Sequence, residues 1–274
     1  RPDLVIGWWA VPTILEHGSP EQVEQFVPAT LRGELTWCQL FSEPGAGSDL
    51  AALRMKAVRA EDDSGWKLTG QKVWTSTAQK AHWGVCLART DQNAPKHKGI
   101  TYFLVDMKSP GIVIRPLREI TGDELFNEVF FDDVFVPDEM VVGQVNDGWR
   151  LARTTLANER VAMAQGTALG NPMEELLRVV SELDLDGAQQ DQLGQLIVTA
   201  QVGSLLDQRI AQLAVDGQDP GPQASARKLI GVRYRQALAE FRMDLSEGAG
   251  VVVDKLVHDF LNTRCLTIAG GTEQ

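Results

Sequence analysis

The sequence predicts an α+β fold in which helical segments flank a middle antiparallel β-domain. Apolar residues recur at helical spacing up to residue 33 and again after residue 146, whereas residues 34–145 read as short alternating segments rich in valine, phenylalanine and tryptophan. Turn signals punctuate that middle stretch at Asp62-Asp63-Ser64-Gly65, Asn93-Ala94-Pro95 and Ser109-Pro110-Gly111. With 274 residues, 43% of them hydrophobic and 23% charged, the chain can bury a core.

In residues 1–33, Val11, Ile14 and Leu15 lie at helical spacing, and Ser19-Pro20 opens a second helix through Val23, Phe26 and Val27. Serine offers its hydroxyl to an unpaired N–H of the first turn, and proline at the first helical position has no N–H to leave unpaired. Residues 34–145 form the middle domain, with strands expected over 67–69, 100–106 and 128–136. Residues 146–274 form an incomplete helical domain. Asn146-Asp147-Gly148 starts one long helix marked by Trp149, Leu151, Leu156, Val161 and Ala164, and further helices fit 173–183, 188–215 and 223–245. A Gly/Pro break at 217–222 separates the last two, and the glutamine-rich 189–195 stretch reads as a solvated helix face. The chain opens on Arg1-Pro2-Asp3 and stops at Gly270-Gly271-Thr272-Glu273-Gln274 with no closing helix, so it reads as the middle of a longer protein.

Composition excludes several function classes. Twenty-six basic against 37 acidic residues give a net charge of -11, so no general positive field draws nucleic acid or an anionic membrane, and an anionic ligand must be held locally. No apolar run approaches the roughly 20 residues of a membrane span, and the start is not a secretory signal. Cys38, Cys86 and Cys265 are odd in number and far apart, which argues against a disulfide framework or a zinc site and makes the cytoplasm the default location. His17, His82, His97 and His258 pair neither with each other nor with a cysteine at ligand spacing, so no metal site is expected. No serine has the G-x-S-x-G setting of a nucleophile.

The most specific segment is Trp37-Cys38-Gln39-Leu40-Phe41-Ser42-Glu43-Pro44-Gly45-Ala46-Gly47-Ser48-Asp49. Two glycines two apart, followed by Ser48 and Asp49, can turn backbone N–H groups toward an anion such as a pyrophosphate; on spacing alone a plain tight turn is the better reading. Together with Gly70-Gln71-Lys72-Val73-Trp74-Thr75-Ser76 and Phe130-Phe131-Asp132-Asp133-Val134-Phe135-Val136-Pro137, this segment resembles the acyl-CoA dehydrogenase family. The resemblance runs from the end of that family's first helical domain (1–33), through its middle β-domain (34–145), into its C-terminal helical domain (146–274).

That resemblance implies FAD as cofactor, held against Gln39, Leu40, Phe41 and Ser42, with Gly47 and Ser48 nearby and Trp74, Thr75 and Ser76 at the flavin edge. Taken alone, Trp74 reads as an ordinary half-buried sheet residue. Thr272 and Gln274 resemble residues that reach FAD, and 246–250 matches weakly a glycine-rich turn facing a neighbouring subunit. The implied substrate is an acyl-CoA thioester, with Ser48, Asn158 and Arg160 on its side of the site. Members of the family carry a glutamate base either just before the Gly-Thr near the chain end or on the first C-terminal helix before an arginine. Here Gly270 fills the first position and Leu156-Ala157-Asn158-Glu159-Arg160-Val161 the second, so Glu159 is the implied base. A glutamate in such a helix, taken alone, reads first as a solvated residue beside arginines.

By the same resemblance, electrons pass to an electron-transferring flavoprotein. The competing expectations are a flavin-poor subunit that completes a partner's site and an oxygen-using acyl-CoA oxidase. A helix-borne base leans toward a branched or ring-bearing acyl group, sterol side chains included. The family's Arg-x-x-Phe-Gly stretch, whose arginine meets the FAD pyrophosphate of an adjacent subunit, is absent between Asn171 and Gln223. An α2β2 hetero-oligomer with a related subunit is therefore expected, and a homo-oligomer in which Arg227 or another arginine substitutes is the second choice.

Overall fold

The computed structural model describes residues 6–164, 171–218, 221–246 and 254–271, and the chain divides into two compact units, Arg1–Glu159 and Arg160–Gln274. It adopts the mixed class read from the sequence: helices, then a sheet, then helices.

The first unit opens with α1 (Gly7–His17) and α2 (Pro20–Leu31). Ser19 starts α2 as expected: its Oγ accepts from the Gln22 N–H at 3.2 Å, and Gln22 Oε1 accepts from the Ser19 N–H at 3.1 Å. The Gln22 amide also donates to the carbonyls of Glu139 (2.7 Å) and Val141 (2.9 Å), so this cap anchors α2 to the far end of the sheet segment.

Eight strands follow, β1 (Trp37–Leu40), β2 (Lys56–Arg59), β3 (Gly65–Ser76), β4 (Trp83–Arg89), β5 (Ile100–Asp106), β6 (Ile112–Pro116), β7 (Phe126–Pro137) and β8 (Val141–Val142). Their order is β6-β7-β3-β2-β4-β5-β8, with β1 pairing on β4. The strands expected at 67–69, 100–106 and 128–136 lie within β3, β5 and β7. The sheet is mixed rather than purely antiparallel, which corrects the sequence reading. β1 runs parallel to β4, with Trp37 opposite Trp83 and Leu40 opposite Cys86, because the antiparallel β2–β3 pair intervenes and returns the chain in its original direction.

β4 and β5 are covered on both faces. Val85, Leu87, Tyr102 and Leu104 pack in one cluster with Ala10 and Ile14 of α1 and Phe26 of α2; Cys86, Ala88, Phe103 and Val105 pack in the other with Val129, Phe131 and Val134 of β7. Burial on two sides explains why both strands read as continuous apolar runs. On β1, Trp37 and Phe41 join the helix-covered cluster while Cys38 and Leu40 join the other, so the period of two puts Gln39 on the helix side. α3 (Gly148–Ala164) begins against β5: a Cβ on Gly148 would stand 2.7–2.8 Å from the Thr101 and Tyr102 backbone, an approach that requires glycine.

The second unit contains α4 (Asn171–Val180), α5 (Gly187–Val215), α6 (Gly221–Asp244) and α7 (Lys255–Asn262). Met173, Leu176, Val180, Leu196, Ala200, Tyr234, Leu238 and Phe241 form its core, and Asp186 caps α5 by accepting from Gln189 N–H at 2.8 Å. The helices expected at 173–183, 188–215 and 223–245 correspond to α4, α5 and α6 within a few residues, and Gln190 and Gln195 are exposed as expected. Sequence reading missed α7. Its signal was Asp254, which accepts from the Val257 N–H at 3.0 Å, followed by Leu256, Val257, Phe260 and Leu261 at helical spacing.

Candidate active site

The two motif segments are bonded to each other. After β1, Glu43 and Ala46 exchange backbone hydrogen bonds of 2.9 and 3.0 Å around Pro44-Gly45, a tight turn that leaves Gly47, Ser48 and Asp49 exposed. The Ser42 carbonyl accepts from the Val73 N–H of β3 at 2.9 Å. Beneath the turn, the buried Lys72 ammonium donates to Glu43 Oε1 at 2.8 Å and to the Phe41 carbonyl at 3.1 Å. Glu43 in turn accepts from the N–H groups of Arg54 (2.6 Å) and Met55 (2.9 Å). These bonds set Phe41 and Ser42 beside Val73 to Ser76. Sequence reading did not single out Glu43 and Lys72 as the pair that holds the motifs together.

Trp74 departs from the half-buried sheet residue it suggests when taken alone. It has φ 59° and is 62% exposed, with its ring edge-to-face on Phe126 at 6.1 Å. The register slips between Lys72 and Thr75 against β7, so Trp74 is the extra residue of a bulge. A bulky residue in the left-handed region costs energy, as does leaving its ring in water; such strain concentrates at ligand sites. Next to it, Thr75 is fully buried, with its carbonyl accepting from the Asn127 amide at 2.9 Å, whereas Ser76 is half-buried.

Gly45 and Gly47 add a second sign of a ligand. Neither has positive φ, and a Cβ at either would meet nothing within 4 Å, so the chain itself does not demand glycine there. Glycines at these places leave the backbone open to close approach by a ligand. Donors of an exposed turn, an exposed aromatic face and a nearby half-buried hydroxyl together fit a flavin nucleotide, which needs an apolar wall and a few polar contacts at its edge.

Glu159 lies on the same unit, half-buried on α3. The stripe Leu151, Thr155, Glu159 repeats every four residues. Thr155 Oγ1 is bonded to Thr13 Oγ1 of α1 at 2.8 Å and to the Tyr102 hydroxyl of β5 at 3.0 Å, which locks this face of α3 in place. One turn on, Glu159 Oε2 accepts from the Gln39 amide nitrogen at 3.1 Å, and the Gln39 amide oxygen accepts from Trp9 Nε1 of α1. The side chain of Gln39, read from the sequence as a flavin neighbour, thus meets Trp9 and Glu159, while Leu40 and Phe41 are buried in the two clusters below. Trp9 was not a sequence-stated candidate. Asn158 donates back to the Thr154 carbonyl at 2.9 Å, and Arg160 is half-buried.

In the second unit, Gly270 has φ 68°, a conformation suited to glycine, and carries no carboxylate. Thr272, Gln274 and residues 247–250 lie outside the described residues. Arg227 is fully buried: its Nε donates to the Gly203 carbonyl at 3.0 Å and it pairs with Asp207 at 2.6 Å. Burial and the Asp207 pair speak against the expectation that Arg227 substitutes for the absent pyrophosphate arginine, although its Nη1 is buried with no hydrogen-bond partner among the described residues. Among the described residues there is no metal-ligand cluster, and no helix is long and apolar enough to cross a membrane.

Comparison with known proteins agrees with this architecture. The models for the acyl-CoA dehydrogenase middle domain and C-terminal domain match residues 38–134 and 146–274. Acyl-CoA dehydrogenase FadE34 of Mycobacterium tuberculosis is 79% identical across the whole chain, which spans 38% of that relative's length. Acyl-CoA dehydrogenase IpdE1 of Mycolicibacterium smegmatis is 37% identical over 96% of the chain and 70% of its own length. The solved structure of the Tcur3481-Tcur3483 steroid ACAD superposes with a TM-score of 0.87 at 25% identity, covering 98% of this chain and 72% of that one. Two matching domain models in the expected order, with relatives similar along nearly the entire sequence, establish that the chain belongs to the acyl-CoA dehydrogenase family, a family of oxidoreductases.

Proposed function

We propose that this chain carries the flavin-edge segments and the catalytic base of an enzyme that dehydrogenates acyl-CoA thioesters between the α- and β-carbons. The observation that carries the reading is the meeting of Glu159 with Gln39, at the start of the very segment that the Glu43–Lys72 pair fastens to Trp74–Ser76. The residues that would hold FAD are Gln39, Leu40, Phe41, Ser42, Gly47, Ser48, Trp74, Thr75 and Ser76, with Thr272 and Gln274 from the chain end. When bound, FAD supplies the acceptor for the hydride that leaves the β-carbon. Glu159 takes the α-proton; its half-buried position on a locked helix provides the orientation from which a general base draws most of its effect. Ser48, Asn158 and Arg160 are assigned to the acyl-CoA side. Gly270 leaves the other family position without a base.

The same reading keeps the division into 1–33, 34–145 and 146–274, supported by the ranges of the two domain models. It places the protein in the cytoplasm, in line with three cysteines that form no disulfide among the described residues. It also passes electrons to an electron-transferring flavoprotein. A related subunit is proposed to complete the FAD site, because the pyrophosphate arginine is missing and Arg227 is engaged elsewhere. The paired name of the Tcur3481-Tcur3483 steroid ACAD supports a second subunit, and the form proposed for it is α2β2. A ring-bearing or branched acyl group is the proposed substrate, supported by the steroid ACAD likeness.

The test is an anaerobic titration of the full-length protein with straight, 2-methyl-branched and steroid acyl-CoAs, following the visible flavin spectrum. Bleaching by the branched or steroid thioesters is expected. Preference for short straight chains would remove the substrate assignment, bleaching by none would remove the reaction, and peroxide formed at turnover rate in air would make it an oxidase.

A further inference from the structure

We propose that Trp9 and Gln39 form a positioning pair that orients the Glu159 carboxylate and fixes which face of an amide it meets. The inference rests on the reading of Glu159 as base.

Geometry decides the orientation of the amide without appeal to hydrogen positions. An indole N–H only donates, so the atom of Gln39 that meets Trp9 Nε1 must be the amide oxygen. The amide nitrogen is therefore turned toward Glu159 Oε2, 3.1 Å away, and donates to it. Without Trp9 the amide could rotate and present its oxygen, which repels a carboxylate and accepts only from the protonated acid. A donor stabilises the ionised form, the form able to take a proton. Trp9 thereby selects the base-competent state through Gln39.

The framework holds both ends of this relay at fixed spacing. Trp9 and Thr13 are one turn apart on α1, and Thr13 Oγ1 donates to the Trp9 carbonyl at 3.0 Å. Thr155 and Glu159 are one turn apart on α3, and Thr13 and Thr155 are bonded at 2.8 Å. Gln39 is the polar exception on a face of β1 whose neighbours Trp37 and Phe41 are buried hydrophobics. A polar side chain at such a place carries a desolvation cost that hydrogen bonds at both ends offset. Around this stretch of α3 stand Trp9 and Thr13 of α1, Gln39 of β1 and the Tyr102 hydroxyl of β5, whose pKa burial raises, and the titratable His17 of α1 meets Thr154 at 2.9 Å. The charged residue adjoining Glu159 along the chain is Arg160.

The experiment measures proton abstraction alone. A 3-thia-acyl-CoA has sulfur at the β position and cannot give up hydride, so exchange of its α-hydrogen for solvent deuterium, read by mass spectrometry, reports removal and return of the α-proton. Full-length protein is compared with Gln39→Met, which keeps the chain length and apolar stem, with Trp9→Phe, and with the double variant across pH. Losing a charge-assisted hydrogen bond moves the acid limb of the exchange profile up by about one pH unit in Gln39→Met, about tenfold in rate at a fixed pH on that limb. Rates are taken per bound FAD, because Gln39 is also assigned to the flavin site, and the position of the acid limb rather than the height of the plateau is read. Trp9→Phe shifts the limb in the same direction by less, and adds nothing in the Gln39→Met background. An unmoved limb in Gln39→Met, or an equal further shift on adding Trp9→Phe to it, overturns the proposal. Should Gln39→Met unfold, the Trp9→Phe limb decides alone, an unmoved limb again counting against it. Glu159→Gln in the same assay separates the two levels: surviving exchange removes the base assignment and this inference together, whereas lost exchange with an unmoved Gln39→Met limb removes only the inference.

Discussion

Replacing Lys72 by methionine tests the bond between the two motif segments. Lys72 is fully buried and Glu43 is 8% exposed, so neither charge has water to turn to when its partner is removed. Methionine fills the stem but strands the Phe41 carbonyl and leaves the Glu43 carboxylate with only the Arg54 and Met55 N–H groups. Breaking a buried ion pair from one side costs about 3–5 kcal/mol, and the two remaining N–H bonds place this case at the lower end, about 3 kcal/mol. For a unit of this size that corresponds to a fall in Tm of roughly 6–12 °C, read by calorimetry on the full-length protein. Glu43→Gln combined with Lys72→Met removes both charges and recovers a large part of the loss, because no unpaired buried charge remains. A drop of less than about 1 kcal/mol in the single variant, or a double variant as damaged as the sum of the singles, refutes the reasoning.

Gly148→Ala places a methyl 2.7–2.8 Å from the β5 backbone and is expected to lower stability by about 1–3 kcal/mol; wild-type Tm would show that α3 can shift freely. Burial raises the Cys86 thiol to about 12 and Cys38 further still, while Cys265 is partly exposed, so iodoacetamide near neutral pH labels Cys265 and spares the other two until unfolding. Peptide mass mapping checks this, and comparable labelling of Cys86 contradicts it. His17 is held below its ordinary pKa, chiefly by burial and further by Arg150, against the opposing pull of Glu16 and Asp147. The unfolded state therefore takes up a proton near pH 6.5 that the folded state refuses, and this part of stability is present above about pH 6.5 and lost as pH falls through and below it. His17→Gln flattens the acid side of a Tm-versus-pH curve; an unchanged slope contradicts the assignment.

What could be read from the sequence was local. Ser19-Pro20, the apolar run of β5 and the Gly148 helix start each carry their signal within a few residues, and the motifs led to the family because their order along the chain is itself a pattern. What escaped depends on partners distant in sequence. Gln39 lies 30 residues from Trp9 and 120 from Glu159, and a single hydrogen bond at such separation leaves no periodicity to detect. Lys72 looks like any polar strand residue until the turn of Glu43 folds over it. Trp74 is left-handed because β7 pairs one residue out of step, and β1 is parallel because of where the β2–β3 pair returns the chain; neither is encoded at its own position.

Glu159 is the proposed base, and one rate tests that role most directly. The measurement is the anaerobic rate at which the full-length, FAD-loaded protein is reduced by a ring-bearing or branched acyl-CoA, compared between wild type and Glu159→Gln. Removal of a positioned general base predicts a fall on the order of a hundredfold or more, with flavin content and Tm unchanged. Reduction at near wild-type rate in Glu159→Gln would contradict the account.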